Sequence, residues 1–276
     1  SGGGCGKTLF VIWLANWLKS KGLSPGIISR GYKSASSQFP IEVNEQTSVN
    51  ASGDEPKLIF NQTKCPTVIS PNRVEAVKFL LKKHNCDVII SDDGLQHYKL
   101  DRDIEISLVD GFRKFGNGLT FPAGPLREPL KRLKDVDYII NTNKFRSDED
   151  DLSEKDTLMT YEPVSWIKLS SGEERKIEDW PLEKLVYGVA GIANPNNFFS
   201  TLRNLGFEVI ENAFPDHHAY TKADFTGLED LPIIMTEKDA IKCKNFIGNF
   251  WYLKIEAKLS DDFADEIYKN IISWKK

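Results

Sequence analysis

The stretch SGGGCGKTLFVIWLANWLKS, residues 1–20, decides the fold. Its glycines Gly2, Gly3, Gly4 and Gly6 let the backbone curl so that successive N–H groups point inward at phosphate oxygens. Lys7 is placed to reach β- and γ-phosphates, and the Thr8 hydroxyl suits Mg²⁺. Residues 7–19 are almost all apolar and Gly22 follows as a stop, which predicts a helix buried on most sides. That helix turns its positive N-terminal end toward the same anion. The pattern G-x-x-x-x-G-K-[ST] asks for glycine where this chain has Ser1, so the match is imperfect. The bland alternative is a flexible glycine loop ahead of a helix. The reading assigns Ser1, Gly2, Gly3, Gly4, Cys5, Gly6, Lys7 and Thr8 to nucleotide binding. A phosphate loop needs a buried strand to aim it, and none precedes residue 1, so a first strand and anything upstream are expected to lie outside this sequence.

Beyond this helix, short apolar runs alternate with helical patterns. Residues 25–32, 66–70, 87–93, 103–110 and 136–142 read as strands. Residues 72–84 read as an amphipathic helix with Val74, Val77, Leu80 and Leu81 on one face. Such alternation predicts an α/β fold, a mostly parallel sheet covered by helices. The charged run RSDEDDLSEKD (146–156) marks a solvated boundary, and two domains are the favoured count. After it come extended stretches at 159–169 and 185–193, strands at 233–236 and 250–255, and a closing amphipathic helix over 261–274.

Composition narrows the function. The chain has 276 residues, 40% hydrophobic and 28% charged, which is ordinary for a soluble globular protein. A net charge of −4 without a basic stripe argues against a nucleic-acid partner. The scattered Cys5, Cys65, Cys86 and Cys243 lack zinc-site spacing and read as free thiols of a reducing compartment. No apolar run approaches the roughly 18–20 residues of a membrane span, and no signal peptide is evident, so the expected location is cytoplasmic.

Several polar clusters carry candidate chemistry. VIISDDGLQH (88–97) is an apolar strand ending in Asp92 and Asp93, and ligands gather at such strand ends. One of these carboxylates could hold Mg²⁺, although Asp-Gly is also a common turn. In GDEP (53–56), Asp54 and Glu55 are either cap and first-turn acids of a helix or catalytic groups. Arg73 begins another helix, where it could meet an anion or stay solvated. PAGPLREP (122–129) is a rigid proline-rich loop bearing Arg127 and Glu128. FPDHHAY (214–220) lacks metal-ligand spacing; a histidine paired with a carboxylate as a base competes there with an ordinary surface turn.

SGGGCGKT, SRGY, SGDEP, the S-P-x-R of 70–73, SDDGLQHYKL, RKFGNG with PAGPLREP, AGIANPNNFF, FPDHHAY and MTEKDAIKC occur in that order. In sequence and spacing they resemble the tetraacyldisaccharide 4′-kinases, the lipid A 4′-kinases, across essentially the whole chain. That family also tolerates a residue other than glycine at the position of Ser1. The resemblance implies ATP- and Mg²⁺-dependent phosphorylation of the 4′-hydroxyl of an acylated glucosamine disaccharide 1-phosphate, giving the bis-phosphorylated lipid A precursor. The alternatives are a P-loop kinase of another sugar or metabolite, or a nucleotide-dependent switch. The resemblance implies a P-loop NTPase-like α/β/α domain over 1–155, a β hinge over 156–180 and a smaller α/β domain over 181–276. By position it makes Asp54 the catalytic base and His217 its partner, and matches Lys7 and Thr8 to the phosphate-loop pair. Thr8, Asp92, Asp93 and Glu128 would handle Mg²⁺, while Arg73, Glu55 and His97 are further active-site candidates. It also implies a peripheral place on the cytoplasmic face of the inner membrane.

Overall fold

The apolar run near the N-terminus forms helix α1 (Cys5–Ser20), which buries Phe10, Val11, Leu14, Ala15 and Leu18. These belong to a computed structural model that describes residues 5–32, 34–111, 115–142 and 156–274. After α1 come β1 (Pro25–Ser29), β2 (Ile41–Val43), α2 (Val49–Ser52), α3 (Asp54–Thr63), β3 (Thr67–Ile69), α4 (Arg73–Lys83) and β4 (Val88–Ser91). Then follow β5 (Ile106–Asp110), β6 (Tyr138–Thr142), β7 (Asp156–Lys168), β8 (Glu174–Lys176) and β9 (Leu185–Ala190). The chain closes with α5 (Pro195–Asn204), β10 (Glu208–Ala213), β11 (Ile233–Thr236), α6 (Glu237–Ala240), β12 (Phe250–Lys258) and α7 (Asp261–Ser273). Polar caps set several helix starts: Asn72 accepts from Val74 and Glu75, Thr236 from Asp239, and Ser260 from Phe263.

Two sheets result, in the orders β2-β3-β1-β4 and β10-β9-β11-β12-β7-β6-β5, with β8 on the flank of β7. Most described pairings are parallel, as the alternation of strands and helices predicts. Strand β7 runs parallel to β6 through Met159, then antiparallel to β12 from Thr160 onward. It thereby ties two hydrophobic regions together. The first packs α1 with Ile27, Leu58, Ile59, Ile140 and Met159, and α7 returns to it through Phe263 and Ile267. The second joins Trp166, Phe199, Leu202, Ile234 and Trp251, and beside it lie Tyr220, Phe225, Met235 and Phe250. Each such fully buried side chain contributes about 1.5–3 kcal/mol of transfer free energy. We call these regions the first and second lobes. β4 and β5 are end strands of their sheets, and both border one cavity of about 1280 Å³ that opens along the start of α1.

Candidate active site

Ser1, Gly2, Gly3 and Gly4 lie outside the described residues; Cys5 opens α1. Gly6 follows in the first turn, where a Cβ would stand 2.7 Å from the Tyr161 hydroxyl of β7. A larger residue here would have to push the end of the Tyr161 side chain aside. Next to it Lys7 extends to Asp93, Nζ to Oδ1 2.6 Å, while Thr8 is buried.

The β4 strand ends in Ser91 and passes to the two acids. Asp93 adopts a left-handed φ of 53° in the Asp-Gly turn, which turns its carboxylate to Lys7 on one oxygen and Arg127 on the other, at 2.9 Å. Burial opposes its charge, but the two cations outweigh it and hold the carboxyl down at about 2. Asp92 points into the protein. Burial, with the Glu55 charge nearby, pushes its carboxyl up to about 6 against the pull of Lys7 and a 3.0 Å hydrogen bond from Ser29 Oγ. Arg73 is buried behind this turn and donates to the carbonyls of Ser70 and Asp92 at 2.8 and 3.1 Å, so it braces the two strand ends. His97 sits one turn further on; burial, then Arg73, lowers its pKa. Glu128 accepts a 2.7 Å hydrogen bond from the Tyr98 hydroxyl.

Helix α3 begins at Asp54 because Gly53 supplies a φ of 85° that L residues rarely adopt. Its first-turn acid faces the second lobe. There His217, itself at φ 64° with its N–H on the Gly191 carbonyl, directs Nδ1 to Asp54 Oδ2 at 3.0 Å. The two side chains are 11% and 13% exposed, dry enough to strengthen their interaction and open enough to meet a ligand. Tyr32 stands edge-on to the histidine ring at 5.9 Å.

The structure thus joins Asp54 to His217 and Lys7 to Asp93, across 163 and 86 positions of sequence. Lys7, Thr8, Glu55, Asp92, Asp93 and Glu128 share the cavity wall with Asn194, Asn197, Asp216 and Lys238 of the second lobe. The dyad adjoins that wall through Glu55 and Asp216. The expected metal set of Thr8, Asp92, Asp93 and Glu128 is not gathered as a cluster. No group of three or more metal-binding side chains converges among the described residues. Asp93 is engaged by two cations and Glu128 by a tyrosine. Sequence reasoning gave no role to Asp216, Lys238, Asp239 and Lys242, which surround the dyad. The one available signal was that MTEKDAIKC alternates charges with residues that prove buried.

The family model described as Tetraacyldisaccharide-1-P 4′-kinase matches residues 1–272. A protein of Legionella pneumophila (strain Corby) named tetraacyldisaccharide 4′-kinase is 46% identical over 269 residues, covering 97% of this chain and 80% of that one. Its namesake in Hahella chejuensis is 43% identical over 266 residues, 96% and 77% of the two chains. A crystal structure of "apo" form LpxK from Aquifex aeolicus in complex with ATP superposes with a TM-score of 0.83. It is 31% identical and covers 98% of this chain and 86% of that one.

Proposed function

The chain belongs to the Tetraacyldisaccharide-1-P 4′-kinase family, and on that membership we propose how its residues carry the reaction. The enzyme is an ATP-dependent kinase that transfers the γ-phosphoryl group to the 4′-hydroxyl of tetraacyldisaccharide 1-phosphate. The sugar oxygen forms a bond to phosphorus, the bond from phosphorus to the β,γ-bridging oxygen breaks, and ADP departs with that oxygen's electrons. The hydroxyl proton passes to Asp54, and His217 holds the accepting carboxylate in place. The observation that carries this assignment is the partly buried 3.0 Å contact between a first-lobe acid and a second-lobe imidazole. Closure of the two lobes completes the base and keeps water from the transferring group.

Lys7 meets the phosphates, exchanging part of its contact with Asp93 for them, and Arg127 keeps Asp93 neutralised meanwhile. Arg73 braces the strand ends on which these acids ride. Thr8 and Asp92 fit a magnesium ion: one is a buried hydroxyl, the other a buried carboxylate whose ionisation its surroundings oppose. Mg²⁺ is held in kinases by one or two such oxygens together with phosphates and water. Its chemistry there is to neutralise charge on the β- and γ-phosphates. Glu128 and Glu55 line the surrounding cavity, and His97 sits behind it on the turn after Asp93.

The acceptor is a lipid, and we place the enzyme peripherally on the cytoplasmic membrane face. Among the described residues no helix is long and apolar enough to cross a membrane. Exposed Leu119, Phe121 and Leu130 flank the loop that carries Arg127 and Glu128, which supports contact with acyl chains there. The test uses labelled ATP and the disaccharide monophosphate. Asp54→Asn is expected to lower kcat by roughly 10²- to 10⁴-fold while ATP still binds. A kcat within a few-fold of the parent would remove Asp54 from the role of base.

A further inference from the structure

Lys242 stands on the turn after α6, in the second lobe, and its side chain is 7% exposed. Its ammonium lies 2.9 Å from Asp239 Oδ1 and 3.7 Å from Asp54 Oδ2, the same oxygen that His217 approaches. It also lies 5.0 Å from the centre of the Tyr220 ring. None of its N–H bonds is aligned as a hydrogen bond on either acid, so it acts here as a buried point charge. Asp239 is fully buried and already bound: it accepts from the Gly191 N–H at 3.0 Å and the Thr236 hydroxyl at 2.6 Å. Gly191 in turn offers its carbonyl to the His217 N–H. One buried carboxylate thereby orients both the histidine backbone and the lysine.

We propose that Lys242 is a positioning residue for phosphoryl transfer, anchored by Asp239, which holds the Asp54 carboxylate in place and sets a cation against it when the lobes meet. The proposal rests on the reading of Asp54 as base. A wholly structural lysine would need only Asp239. The second ion pair crosses between lobes onto the acid that receives the proton. Four residues earlier, in α6, Lys238 makes the matching contact to Glu55 at 3.7 Å and pairs with Asp216 at 3.4 Å. Asp216 faces the other His217 nitrogen at 3.6 Å. The charged groups around the dyad are therefore Lys242 on Asp54, Asp216 on His217, and beyond them Asp239, Lys238 and Glu55. Among the described residues, Lys242 is the lysine set directly against the base.

The experiment measures kcat against pH, with ATP and tetraacyldisaccharide 1-phosphate, for Lys242→Met and Lys242→Arg in the parent and in Asp54→Asn. Lys242→Met is expected to lower kcat roughly 10- to 100-fold with little change in KM for ATP, the scale of a displaced catalytic group. The acid limb of its profile should move to higher pH by about one unit or more, as loss of a nearby cation dictates. Lys242→Arg should recover part of kcat and return the limb. In the Asp54→Asn background, Lys242→Met should change turnover by less than about twofold, because the group it serves is gone. An equal loss in both backgrounds would make Lys242 structural and overturn the inference. So would an unchanged kcat and pH limb in Lys242→Met while Asp54→Asn remains impaired. Full activity of Asp54→Asn would instead remove the base reading, and this inference with it.

Discussion

Asp92 and Asp93 are sequence neighbours whose carboxyls are pushed in opposite directions, one up to about 6 by burial and the other down to about 2 by Lys7 and Arg127. The raised one has a consequence for stability. Free aspartate titrates near 3.9, so the folded chain holds the Asp92 proton more tightly than the unfolded chain does. Below pH about 4 that preference favours folding in full, and it is lost as pH rises through about 6. At neutral pH the buried charge then costs on the order of 3 kcal/mol. Asp92→Asn, which keeps an acceptor for Ser29, should raise Tm by roughly 5 °C at pH 7.5 in chelator and leave it unchanged at pH 4. Equal Tm at both pH values would contradict the burial argument. The same variant should lose kinase activity if Asp92 also meets magnesium. At this scale the motifs expose much of the candidate site: GKT, DDG, GDEP and DHH each supply a residue that the fold brings to the cavity or to the dyad beside it. What they could not show is who faces whom. The lysines of KDAIK have no role that sequence alone assigns, and the packing of α6 and its following turn under the dyad buries them. Arg73 likewise reads as a helix-start charge until burial turns it into a brace between two carbonyls.

Helix α3 aims Asp54, and its start depends on a single glycine. Gly53 has a φ of 85°, and a Cβ added there would come 2.7 Å from the Tyr32 carbonyl oxygen, a backbone atom with little room to yield. Gly53→Ala should therefore cost about 1–3 kcal/mol and tilt the first turn away from His217. Calorimetry should show a lower Tm, and kcat should fall further than the stability loss accounts for. Ser260→Ala supplies the contrast. It removes the α7 cap and about 1 kcal/mol, yet α7 lies on the α1 core, so kcat should hold. If both variants lost activity in proportion to Tm, the geometry at Gly53 would have no special role. Element by element, the long patterns were readable: α1, α4, α7 and strands β1, β3, β4, β5, β6, β11 and β12 fall where apolar periodicity puts them. Shorter or half-exposed pieces were not. β10 buries no residue completely, β2 and β8 have three residues each, and their pairing depends on partners distant in sequence. The span of β7 was also underestimated, because its first residues follow a charged run and gain their order from β6.

The two lobes share the β7–β12 ladder, and beside α6 they meet through Ile241, which packs into the first core, and through polar contacts: His217 on Asp54, Lys242 on Asp54, Lys238 on Glu55, and Glu237 on Gln62. Polar contacts form most of this seam and add less commitment than an apolar interface would, which suits an enzyme that must admit ATP and a lipid and then release them. One seam contact titrates near neutrality. Burial pushes the Glu237 carboxyl up to about 7, although the Gln62 amide and Lys254 pull the other way. Folding and closure with this acid protonated are favoured below its unfolded value near 4.3, and the advantage fades as pH rises through about 7. Above that point the seam must carry a buried negative charge or part. Scattering of the parent enzyme should therefore show a larger radius of gyration at pH 8.5 than at pH 6, together with a lower Tm. Glu237→Gln, which still offers Gln62 a carbonyl oxygen, should keep both quantities nearly constant over that interval. Identical pH responses in parent and variant would locate the opening elsewhere. A response that vanishes in the variant would mean that the cleft is set, in part, by one proton between α3 and α6.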